Sequence, residues 1–204
     1  MTHVEPDSRA RILDAALALM SERGVSGTSM RRLADESGLN VATLYHYFPS
    51  KADVLKAVIE ERGLFERMLD EPPLARTGPP ADRLRDLTAW LWRESANEEL
   101  VWRLLVGESL RGEPTARTTA ATLVEGLDGA VAGWVAELVP ELADAAAAAR
   151  SIRVLLFALI VEHLVFGADD QRVATRINDL VALLVDPAPR RPGAQAQQQQ
   201  QQQR

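Results

Sequence analysis

The sequence predicts an all-α fold of about nine helices in two parts. Three observations lead to it. Apolar residues recur at three- and four-residue spacing along nearly the whole chain, and no segment alternates convincingly as a strand. Glycines and prolines fall mainly between these periodic stretches, where helices stop and start.

Ile12, Ala16, Leu19 and Met20 share one face of a first helix that begins near Asp7 and stops at Gly24. A short helix follows from about Ser29 to Ser37, ended by Gly38, and a second from Val41 to Phe48, with Asn40 as its N-cap and Pro49 as its breaker. Ser50 and Asp53 form a capping pair that opens a longer helix, its apolar positions being Val54, Leu55, Val58, Ile59, the stem of Arg62, and Phe65. Between Glu71 and Pro80 the periodicity lapses and prolines gather, which marks a loop and the domain boundary. Helices resume over Asp82–Ala96, Glu98–Ser109, Pro114–Val139, Glu141–Phe166 and Gln171–Val185. Residues 187–204 end in a glutamine run, a low-complexity tail expected to be disordered. The domains are therefore 8–68, 81–186 and the tail 187–204.

The chain has 204 residues and no cysteine, with 23 basic and 29 acidic side chains and a net charge of −6. The lack of cysteine excludes disulfides, thiolate metal sites and thiol nucleophiles, and suits the cytoplasm. No apolar run is long enough for a membrane helix and no signal peptide is visible at the N-terminus. An acidic balance argues at first against a nucleic-acid partner. Its distribution argues otherwise. Residues 81–186 carry ten arginines against 17 acids, a net of −7, whereas Ser37 to Ala52 contain no acid at all.

That acid-free window belongs to a helix-turn-helix pattern at about 29–48, two short helices joined through a glycine. Leu33, Ala34, Leu39, Leu44 and Phe48 would meet in a small core, and Gly38 would take the positive φ of the turn. With Leu44 and Phe48 inward, Ala42, Thr43, Tyr45 and His46 point outward, a mix of small, hydroxyl-bearing and aromatic polar groups suited to DNA; Val41 lies at the edge. Lys51 opens the next helix, where its charge and the free N–H groups can hold a phosphate. The same pattern also allows a plainer reading, in which the tyrosines are half-buried packing residues, and His46 and Lys51 are solvated surface groups.

The stretch RILDAALALMSERGVSGTSMRRLADESGLNVATLYHYFPSKADVLKAVIE resembles the DNA-binding domain of the TetR family of bacterial transcriptional regulators. The likeness covers Arg11 to Glu60, about a quarter of the chain, and TLYHYFPSK is its most specific part. The resemblance implies a homodimer that represses by binding a palindromic double-stranded operator and releases it when a small molecule occupies the C-terminal domain. It implies that Arg31 reaches a guanine edge, that Asn40, Val41 and Ala42 enter the major groove, and that Thr43, Tyr45, Tyr47 and Lys51 meet phosphates, with His46 on a base edge or a phosphate. Relatives often carry Ser-x-Gly where this chain has Asn-Val-Ala, which leaves Val41 and Ala42 a thymine-methyl contact at most.

The C-terminal half resembles the family's ligand-binding half only in being helical and of the right length. Its helix over Ser151–Phe166 is apolar almost all round and must be covered on every side. Ile152, Leu156, Leu159 and His163 on that helix, with Val173, Ile177, Leu180, Val181 and Leu184 on the last, are the expected dimer interface; the alternative is that they are core of a single chain. Trp90, Trp102, Trp134 and Phe157 are candidates to rim a pocket for an apolar or aromatic effector, though core packing would also account for each. No catalytic constellation, metal-spaced cluster or phosphate-cradling loop is present, so neither an enzyme nor a cofactor is expected. A helical scaffold without sequence-specific DNA binding is the alternative class, and it leaves the acid-free face unexplained.

Overall fold

The computed structural model describes residues 8–61, 72–167 and 169–185. Among them are nine helices and no strand: α1 (Ser8–Arg23), α2 (Met30–Ser37), α3 (Val41–Tyr47), α4 (Lys51–Glu61), α5 (Pro80–Ala96), α6 (Glu99–Arg111), α7 (Pro114–Leu138), α8 (Ala145–Phe166) and α9 (Asp170–Val185). The all-α expectation holds. The expected helical positions of Arg62 and Phe65, the domain end at residue 68 and the tail over 187–204 lie outside the described residues.

Several helix starts are set by side-chain caps. Asn40 Oδ1 accepts from the backbone N–H of Thr43 at 2.7 Å, and the Thr43 hydroxyl donates to the same oxygen at 3.0 Å. Ser50 Oγ accepts from Asp53 N at 3.3 Å and donates to the Asp53 carboxylate at 2.7 Å, so the capping pair before α4 forms as expected. Ser29 caps α2 by accepting from Arg32 N at 3.2 Å.

Two starts differ from expectation by more than one residue. Helix α5 begins at Pro80, two residues early, because a proline is well placed at the first helical position and need not belong to the preceding loop. Helix α8 begins at Ala145, not at Glu141. The intervening residues are held elsewhere. Arg83, buried on α5, donates to the carbonyl of Leu138 at the end of α7 and to Glu141 Oε1 at 2.5 Å, while Asp144 caps α8 through Ala147 N at 2.8 Å. Residues 139–144 thus form the connection rather than a first turn.

The apolar core runs without a break from Ile12 on α1 to Val181 on α9. Helices α1, α2, α3 and α4 pack on one another at the N-terminal end; α1 rests against α6 and α4 against α7. The remaining helices form a bundle in which α8 packs on α5, α6, α7 and α9. Helix α6 therefore stands between the N-terminal helices and the interior of the bundle.

Candidate nucleic-acid interface and cavity

The turn between α2 and α3 follows from one glycine and one arginine. Gly38 adopts φ +66°, and Leu39 N and Gly38 N donate back to the carbonyls of Ala34 and Asp35 at 2.9 and 3.2 Å, closing the end of α2. Arg11 on α1 adds its own donor to the carbonyl of Ser37 at 2.5 Å. A Cβ at position 38 would stand 2.6 Å from the Arg11 guanidinium. Nothing in the local pattern singles Arg11 out, because its partner lies 26 residues away.

This turn fixes how α3 is presented. Leu44 and Phe48 are buried with Leu33 and Ala34, while Val41, Leu39 and Tyr47 pack partly against the same core. Ala42, Tyr45 and His46 are exposed and Thr43 is half-buried, so the outward set is the one the helical wheel selects. Tyr45 leaves half of its surface open. Tyr47 lies edge-on to His46, with ring centroids 5.6 Å apart. Asn40 spends its carbonyl oxygen on the cap, which leaves its amide nitrogen for an outside contact.

Lys51 is not simply solvated. Its Nζ donates to the carbonyl of Thr28 at 2.9 Å, which tethers the ammonium between the starts of α2 and α4 and leaves two donors free. Arg31 and Arg32 are exposed on α2. Asp35 is also exposed, one turn beyond Arg31 on the same helix face, so the acid-free surface is bounded on that side. At the back of the site, Arg9 covers the Phe48 ring at 4.6 Å from its centroid and pairs with Glu61 at the end of α4. That guanidinium holds the Glu61 carboxyl below its ordinary pKa.

One residue that the sequence reading passed over joins the two halves. Glu108 on α6 is buried, 3% exposed, and accepts from Val25 N at 3.1 Å and from Arg111 at 2.8 Å. Val25 follows Gly24, which turns the chain out of α1 at φ +74°. The signal was present: Val101, Leu104 and Glu108 share a helix face, and an acid within an apolar stripe asks for a buried partner.

On its other side α6 walls a cavity of about 220 Å³. Trp102 and Phe157 are in the lining, joined chiefly by leucines and valines of α5–α8. Trp90 and Trp134 are not in the lining. Their rings meet edge to face at 5.8 Å, packed against the rest of the core. The spacing of tryptophans along a helix shows which share a face but not which face a neighbour fills.

The expected interface residues also divide. Ile152, Leu156, Leu159, Val173, Ile177 and Val181 are buried within the single chain, because this face of α8 and α9 turns toward their own bundle. His163 is half-buried, with its ring on Trp92 and Nε2 3.4 Å from Glu99. Leu180 and Leu184 are only partly covered. The large apolar side chains left open on these helices are others: Val154 at 59% exposure, Phe157 at 51%, Val165 at 63%, Phe166 at 75% and Leu183 at 72%.

Comparison with known proteins agrees with the fold and the N-terminal motif. Residues 12–58 match the family described as bacterial regulatory proteins, tetR family. The transcriptional repressor KstR of Rhodococcus jostii is 27% identical over 191 residues, spanning 94% of this chain and 89% of that protein. A transcriptional regulator of Rhodococcus superposes with a TM-score of 0.68 at 16% identity, over 90% of this chain and 99% of that one. A transcriptional regulator of Saccharomonospora viridis in complex with choline gives a TM-score of 0.66 at 24% identity, over 87% and 96%.

Proposed function

The chain belongs to the TetR family of bacterial transcriptional regulators, and from that premise we propose that it represses as a homodimer on a palindromic operator and lets go when a small apolar molecule fills the cavity. It is a DNA-binding regulator and not an enzyme. The observation that carries the operator reading is the presentation of α3: an outward face of Ala42, Thr43, Tyr45 and His46, acid-free from residue 37 to 52, held rigidly by caps at both ends.

In this reading residues 8–68 bind DNA and residues 81–186 bind the effector and the second copy. Asn40, Val41 and Ala42 enter the major groove, and Arg31 reads a guanine beside them. Thr43, Tyr45, Tyr47 and Lys51 hold phosphates, and His46 meets a base edge or a phosphate. The two recognition helices lie about one helical turn of DNA apart, roughly 34–36 Å, or a multiple of it. Val154, Val165 and Leu183 with the partly covered Leu180 and Leu184 supply the apolar strip that a second copy would bury. No helix among the described residues is long and apolar enough to cross a membrane.

Helix α6 is the route between the effector and the operator. One side lines the cavity through Trp102 and Leu105, and the other holds the turn after α1 through Glu108. The test is selection of bound fragments from the source genome, followed by fluorescence anisotropy across a salt series. Specific binding with a palindromic consensus is expected, with affinity falling steeply as salt rises. Arg31→Ala should change the preference at one base position and leave the others intact. No binding to any fragment near physiological salt would sink the proposal.

A further inference from the structure

The cavity is not closed by the chain that forms it. Three of its lining side chains are large, apolar and open to water: Leu110 at the end of α6, Val124 on α7 and Phe157 on α8, at 81%, 39% and 51% exposure. They mark its mouth. The polar groups Ser95 and Arg153 of the wall are already engaged, the first with the Leu91 carbonyl at 2.8 Å and the second with Asp128 at 2.6 Å. The unfinished part of the site is its rim, where three helices bring apolar side chains together in the open.

Phe157 belongs to two surfaces at once. Around the axis of α8 it stands about 60° from Val154 and about 40° from Val161, with Val165 continuing the row. Val154 and Val165 are exposed and Val161 is half-buried, so this row is the open side of the helix. Farther round, Val154 and Ala158 line a groove with Leu180 of α9. The open row of α8 therefore runs between the mouth of the cavity and the groove against α9. With Leu183 beside Leu180, the exposed and half-covered apolar side chains of this strip leave on the order of 400 Å² on one copy. Two copies then offer about 800 Å², close to the roughly 900 Å² of apolar surface that a standard stable interface buries.

We propose that a second copy docked on the open row of α8 also lids the cavity, so that the effector site is complete only in the dimer and an apolar ligand tightens the dimer as it binds. This rests on the homodimer reading above and adds where the mouth of each cavity lies in the assembly. In a single chain a bound ligand keeps its outer end against water between Leu110 and Phe157; the second copy removes that contact. Covering about 55 Å² of apolar ligand surface raises affinity roughly tenfold. By reciprocity, two sites each filled about tenfold more tightly in the dimer lower its dissociation constant about 100-fold at saturation.

The chain contains no cysteine, so a single introduced thiol reports on its own surroundings. Leu110→Cys is the decisive position, because Leu110 stands on α6 and not on the α8 and α9 strip itself. Its maleimide labelling rate in the full chain is compared with that of Ala136→Cys, an exposed position near the end of α7, while sedimentation reads the assembly state. In the dimer Leu110→Cys should react about tenfold more slowly than Ala136→Cys, as a position sealed by an interface does. The double change Val154→Glu with Leu183→Glu charges the strip without touching the cavity lining, and in that background the two rates should converge. Indane serves as the ligand probe: a dry cavity of about 150 Å³ holds benzene, so about 220 Å³ suits its nine carbons. Calorimetry should show indane bound about tenfold more tightly by the parent than by the charged variant. A dimer in which Leu110→Cys reacts as fast as Ala136→Cys overturns the proposal and leaves the homodimer standing, as does equal affinity for indane in dimer and monomer. A parent that sediments as a monomer removes both readings, and indane that binds neither form overturns the proposal at the ligand. The comparison of Leu110→Cys with Ala136→Cys in the parent decides the matter whether or not the charged variant folds.

Discussion

Removing the carboxylate of Glu108 tests the connection between the two halves directly. In Glu108→Ala the backbone N–H of Val25 loses a charged acceptor at 3.1 Å in a part-buried place. A lost hydrogen bond to a charged group, with its donor left dry, costs about 2–3 kcal/mol. Arg111 adds little to that figure, because its side chain is 59% exposed and returns to water without a penalty. For a chain of this length each kcal/mol moves the melting temperature by about 2–4 °C, so a fall of about 6 °C is expected. Glu108→Gln keeps an amide oxygen for Val25 and should cost about 1 kcal/mol. Thermal melting at fixed protein concentration measures both, and amide hydrogen exchange at Val25 locates the damage. Protection there should drop far more than along α9. A Glu108→Ala melt within about 1 °C of the parent, or unchanged exchange at Val25, would show that the contact bears no load and that α6 does not hold the turn.

Lys51→Ala should weaken binding to every duplex alike and reduce the salt slope by about one unit; an unchanged slope would make the ammonium only a brace for the Thr28 carbonyl. Gly38→Ala should cost about 1–2 kcal/mol, from a positive φ that a side chain resists and from the approach of its Cβ to Arg11, as read by chemical denaturation. Arg9 lowers the pKa of Glu61, so this pair's stabilisation is complete above the usual carboxylate value near 4.3 and is lost as pH falls through the lower folded value. The Arg9 and Glu61 side chains are 36% and 42% open to solvent, so Glu61→Gln should cost under about 1 kcal/mol at neutral pH, and the gap from the parent should close in acid; a gap that widens in acid contradicts the pairing.

The N-terminal helices were readable from the chain because their determinants are local. Asn40 caps three residues ahead, Ser50 meets Asp53 within one turn, and Gly38 marks its own turn. The outward face of α3 follows from the inward placement of Leu44 and Phe48 alone. What was not readable depends on distant partners. Arg11 reaches Ser37, Glu108 reaches Val25 across 83 positions, and Arg83 on α5 holds Leu138 and Glu141 in the connection before α8. The apolar C-terminal helices posed a further difficulty. A helix apolar on all sides carries no stripe to say which face meets its own bundle, so Ile152 and Val173 looked as available as Val154 and Leu183.

The placement of α6 also constrains how such a protein can change. Leu105 and Trp102 on its cavity side share a rigid rod with Glu108, so remodelling the wall there also disturbs the turn that leads into the DNA-binding helices. Helix α8 contributes Leu156, Phe157 and Ile160 to the same cavity while packing on α5, α6, α7 and α9. Variation on α8 can alter what the cavity accepts while the operator face stays as it is. A lineage acquiring a new ligand, or a library built to select one, has its freest positions on α8, and substitutions on α6 would have to be matched by changes around Gly24 and Val25.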